Sequence, residues 1–161
     1  MAAVAAQVWP LLVFLGLFLA AALAWFARSG DRVPAEMAWG VFEAAALGLV
    51  ASFALHESAH VVALRRVRTV TRIALERTAW RTSVVPEGTM TARQTAGVAL
   101  AGPLSCVAVG ALLWLPDLDR SLAWWYLAHA AFLLPLFGDG RALRHALRTA
   151  RGRRPAGEAR G

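Results

Sequence analysis

The chemistry open to this chain is concentrated in one stretch, Leu55-His56-Glu57-Ser58-Ala59-His60. Histidines at i and i+4 project from one face of a helix, about 6 Å apart along its axis, so both imidazoles can grip one metal ion. Glu57 is turned about 100° around the helix from His56, which sets its carboxylate beside such an ion, where it can accept a proton from an attacking water. The chain has only four histidines in 161 residues. At that composition the pattern arises by chance in roughly 0.4% of sequences, so it is read as chemistry rather than coincidence. A catalytic zinc takes three protein ligands and leaves a fourth position open, so the pair needs one more donor. The candidates are His129, Asp139, His145, Glu43, Glu76 and Glu87.

The elements that must position these residues follow from composition. Hydrophobic residues make up 58% of the chain and charged residues 17%, a balance that excludes an ordinary soluble domain. Near-continuous apolar stretches cover residues 8–27, 38–64, 95–115 and 121–137, each near the roughly 20 residues a helix needs to cross the hydrocarbon. The expected architecture is an all-α polytopic membrane protein with four transmembrane helices. It forms one domain over residues 1–150, followed by a basic, disordered tail at 151–161. The first stretch has no positive segment before it and is longer than a signal-peptide core, so it is expected to be retained as a span.

The net charge of +7 comes from 17 basic residues, all arginine. They cluster between the second and third stretches (Arg65, Arg66, Arg68, Arg72, Arg77, Arg81, Arg93) and after the fourth (Arg141, Arg144, Arg148, Arg151, Arg153, Arg154, Arg160). Four spans put these segments on one side, and the positive-inside rule makes that side, with both termini, cytoplasmic. Membrane topology thus accounts for the basicity without a nucleic-acid partner. The single cysteine, Cys106, lies in the third stretch and has no intramolecular disulfide partner.

The same topology selects the third donor. Asp139 ends the fourth span, which runs toward the cytoplasm, and the histidine pair lies near the cytoplasmic end of the second, so the two reach one depth. His129 lies ten residues earlier, about 15 Å away on a continuous helix, and is read as a packing histidine. Glu43 is read as pairing near the outer interface, and His145 as solvated. The expected site is one Zn²⁺ on His56, His60 and Asp139, with Glu57 as general base.

Between the second and third stretches, Val67, Thr69, Thr71, Ile73 and Leu75 alternate with Arg68, Val70, Arg72, Ala74 and Glu76, the period-two pattern of a strand. A second run, residues 80–85, precedes the turn-like Pro86-Glu87-Gly88, and together they predict a β-hairpin at the cytoplasmic face. Thr91-Ala92-Arg93-Gln94 reads as a capping box opening the third helix. Arg141, Arg144, Arg148 and Arg151 recur opposite Leu143 and Leu147, as in a short interfacial helix.

Three motifs in this order resemble the site-2 protease family of intramembrane zinc metalloproteases. They are His56-Glu57-Ser58-Ala59-His60, then Ala101-Gly102-Pro103-Leu104, then Leu133-Leu134-Pro135-Leu136-Phe137-Gly138-Asp139-Gly140, and the resemblance runs from about Ala38 to Arg141. It implies a zinc endopeptidase of the bacterial cell membrane that cleaves the transmembrane segments of single-span proteins, such as anti-sigma factors. The hairpin is then expected to receive the unwound substrate as an added strand. Two positions at which the family usually carries asparagine are Phe132 and Cys106 here. The competing reading is a catalytically weak or inactive membrane binder of transmembrane segments. Sequence alone leaves oligomeric state open.

Overall fold

The computed structural model describes residues 2–77 and 82–152, with side chains described over 9–72 and 87–151. Most of this is helical, with a small two-stranded sheet. Three helices are long and apolar enough to cross a membrane: Trp9–Ser29, Val33–Arg65 and Ala92–Trp114. A fourth span exists only if the pair Arg120–Leu133 and Gly138–Arg151, bent by 41°, counts as one. The continuous helix expected over residues 121–137 is therefore corrected. It divides into α5 (Arg120–Leu127), a 3-10 segment (Ala128–Leu133), a turn, and α6 (Gly138–Gly152). Pro135, which has no N–H to donate and biases Leu134 away from helical geometry, accounts for the turn after Leu133. The tail beyond Gly152 lies outside the described residues.

The chain forms two compact units. The first contains residues 1–55 and 108–128. Helix α1 (Ala2–Ser29) stops at Gly30, whose φ of +75° lets its N–H close on the Phe26 carbonyl at 2.8 Å, the left-handed cap that glycine favours. Asp31 Oδ1 then accepts the Val33 N–H at 3.0 Å, and Pro34 sits in the first turn of α2 (Val33–Phe42), where a missing N–H costs nothing. This start signal is why the second apolar helix begins at Val33 rather than at residue 38.

Helix α2 packs against α1 and continues as a π-helix over Glu43–Ala51 before returning to α-helix at α3 (Ser52–Arg65). Wide π turns are rare because their hydrogen bonding is poor, and they need outside support. Here α5 packs on the π segment, and its Tyr126 hydroxyl donates to the Leu47 carbonyl at 3.1 Å. Asp119 caps α5 by accepting the Leu122 N–H at 2.8 Å. That N–H, the side chain of Glu43 and the Ser121 hydroxyl hold the Asp119 carboxyl below the usual carboxylate range. Glu43 thus lies beside Asp119 near the start of α5. Phe14 and Leu17 on α1 are about two-thirds exposed, a cost in water that vanishes against hydrocarbon.

The second unit contains residues 56–107 and 129–161. Strands β1 (Val70–Arg77) and β2 (Thr82–Gly88) pair antiparallel, from Arg77 opposite Thr82 to Val70 opposite Gly88. Pro86-Glu87-Gly88, expected as a turn, instead ends β2, with Pro86 opposite Ile73. A proline is tolerated there because a two-stranded ribbon is all edge. The register slips between Val70 and Arg72, and Gly88 takes the slack at a φ of +139°, a bulge that a side chain would resist. The capping box is present at α4 (Ala92–Trp114): the Thr91 N–H donates to Gln94 Oε1 at 2.8 Å and the Gln94 N–H to Thr91 Oγ1 at 3.2 Å.

Candidate metal centre

Helix α3 places His56 and His60 one turn apart with their ring centroids 4.7 Å from each other. Both are buried, at 3% and 8% exposure, in a helix whose other residues are largely apolar. Their Nε2 atoms face each other at 3.1 Å. Asp139, in the first turn of α6, closes the group, with Oδ2 3.0 Å from His56 Nε2 and Oδ1 3.4 Å from His60 Nε2.

These separations can be tested against a metal. Four ligands at zinc–nitrogen distances of about 2.05 Å sit at tetrahedral corners about 3.3 Å apart. The observed donor separations, 3.0 to 3.4 Å, fall around that edge length. Tautomer chemistry agrees. The Val98 carbonyl, 2.8 Å from His60 Nδ1, can only accept, so Nδ1 carries the proton and the Nε2 lone pair points into the group. The three side chains are therefore arranged as donors able to hold one metal ion.

Two glycines explain how separate elements approach so closely. A Cβ on Gly102 would collide with His60 Nε2 and lie 2.8 Å from His60 Cε1 and 2.9 Å from His56 Nε2. Glycine at the head of Gly102-Pro103 thus keeps α4 from filling the space between the rings. A Cβ on Gly140 would strike the Leu134 carbonyl and lie 2.6 Å from the Leu133 oxygen. The Asp-Gly pair places a carboxylate where backbone meets backbone, and Gly140 is the residue that allows that contact.

Glu57 is half-buried. The other candidates separate clearly. Glu43 belongs to the first unit with Asp119, and His145 is exposed on α6. Glu87 is an exposed residue of β2, and Glu76 lies in β1.

His129 is where the expected geometry changes. The 15 Å offset assumed a continuous helix, and the break over residues 128–137 removes it. The His129 ring lies 5.3 Å from the His56 ring, and Phe132 lies 5.0 Å from His56 and 5.3 Å from His129. His56, Cys106 and His129, all buried, form a second group with donor atoms within 4.8 Å of one another. One available signal was the four-residue spacing of Gly102 and Cys106, which puts both on one face of α4. No family model, curated protein or solved structure matches this chain.

Proposed function

We propose that this chain is an integral membrane zinc endopeptidase of the site-2 protease type, cleaving the transmembrane segments of single-span membrane proteins. The observation that carries this reading is the convergence of two imidazoles and a carboxylate, from α3 and α6, at tetrahedral spacing. His56, His60 and Asp139 hold Zn²⁺. The ion, when bound, supplies Lewis acidity and lowers the pKa of a coordinated water to about 7. Glu57, next in sequence to His56, accepts the proton of the attacking water and returns it to the departing amine. The Val98 carbonyl fixes the His60 tautomer, and Gly102 keeps the space at the ring edges open.

With the bent pair taken as the fourth span, the hairpin and the C-terminal end of α6 lie on the same side of the bilayer. The arginine clusters make that side cytoplasmic. A substrate helix hides its peptide bonds in its own hydrogen bonds and must unwind before hydrolysis. The β1–β2 ribbon has free edges on which an unwound segment can lie as an added strand.

The test is the Glu57→Gln chain in liposomes with a single-span reporter. Zinc content stays near that of the parent, while cleavage falls roughly 10²- to 10⁴-fold, the scale of a lost general base. Undiminished turnover removes Glu57 from this role. A parent chain that binds the reporter and zinc without cutting it is the non-catalytic binder.

A further inference from the structure

His56 takes part in more than one group of donors. Its Nε2 faces His60 and Asp139, while its Nδ1 is buried with no hydrogen-bond partner among the described residues. Cys106 is fully buried and His129 is 3% exposed. Cys106 Sγ, an imidazole nitrogen of His129 and one of His56 all lie within 4.8 Å of one another. The positions are built by two local features. Helix α4 presents Cys106 one turn beyond Gly102, on the face that touches the imidazole pair, and the 3-10 segment carries His129 to the His56 ring. Phe132 packs on both histidine rings and shields the group with apolar surface.

We propose that His56, Cys106 and His129 form a second metal position, distinct from His56–His60–Asp139 and sharing one imidazole with it. The donor set decides the class of ion. Two nitrogens and a sulfur are softer than two nitrogens and a carboxylate, so this position takes a thiophilic ion such as Zn²⁺. Binding forms a metal–sulfur bond and the thiol proton leaves to solvent; with both positions filled the remaining His56 ring proton leaves as well, so the ring bridges as imidazolate, and no oxidation state changes. Because His56 belongs to both groups, an ion at either position alters the affinity of the other. This goes beyond the proposed peptidase and does not need it, since Cys106 and His129 take no part in the first group.

The experiment uses the full chain in detergent micelles, stripped of metal and titrated with Co²⁺ alone. The expected result is a thiolate-to-cobalt charge-transfer band in the near ultraviolet, beside the visible bands of four-coordinate cobalt. The charge-transfer band persists in Asp139→Asn and disappears in Cys106→Ser and in His129→Gln. Visible bands without a thiolate band in the parent chain overturn the second position and leave the peptidase reading standing. A thiolate band that vanishes in Asp139→Asn also overturns it, because the sulfur then serves the first site. The parent spectrum decides whether sulfur is a ligand at all, even where a variant fails to fold.

Discussion

At the scale of single residues, the functional reading depends on two glycines as much as on the donors. Overpacking a filled site costs about 1–3 kcal/mol. If Gly102→Ala loads that cost onto the histidine pair, zinc affinity falls roughly 5- to 150-fold. Competition with a chelator of known affinity measures the change, and an unaltered affinity shows that the rings yield freely. The convergence of His56, His60 and Asp139 was legible in the sequence because helical spacing and chain topology are properties of a one-dimensional pattern. The grouping of Cys106 and His129 with His56 was not, because the apolar pattern over residues 121–137 reads as one continuous helix, which sets His129 a fixed distance from the site. The Val98 carbonyl was invisible for a different reason: a backbone acceptor carries no residue-type signal.

At the scale of elements, the apolar stretches announced the helices and the period-two alternation announced the hairpin. The details that diverged lie where local chemistry overrides pattern: Val33-Pro34 starting a helix early, Pro86 continuing a strand, Pro135 ending a span. The π segment had no sequence signature, since Glu43–Ala51 reads as ordinary apolar helix. Its support is testable. Tyr126→Phe removes the hydroxyl that reaches the Leu47 carbonyl and lowers stability by about 1 kcal/mol, read as an earlier midpoint in denaturant titration of the micellar protein. Asp119→Ala removes the α5 cap, again about 1 kcal/mol. Because the folded Asp119 carboxyl is held below its ordinary value of 3.8, its contribution is complete above that value and is lost as pH falls through the folded pKa. The parent and Asp119→Ala chains therefore converge in stability under strong acid, and a gap that persists there contradicts the cap.

At the scale of the whole molecule, the proposed four-span topology, with the bent pair as one span, makes a prediction independent of catalysis. In a Cys106→Ala background, Thr89→Cys should react with a membrane-impermeant thiol reagent only from the cytoplasmic side, and Asp31→Cys and Asp117→Cys only from the opposite side. A reversed pattern inverts the proposed orientation and with it the proposed cytoplasmic approach to Glu57. The turn at residues 134–137 bears on where the bilayer ends. Hydrocarbon does not tolerate open backbone, yet Leu134 and Leu136 are exposed here, and the Leu136 carbonyl is met by the Arg141 guanidinium at 3.1 Å. A guanidinium belongs with lipid phosphates and water, which under the proposed membrane topology sets residues 134–137 near an edge of the hydrocarbon. Asp139 begins the very next turn. If the proposed peptidase reading holds, the carboxylate stands at the shoreline of the membrane, and a scissile bond need only be lowered to that edge, rather than water raised to the bilayer's middle.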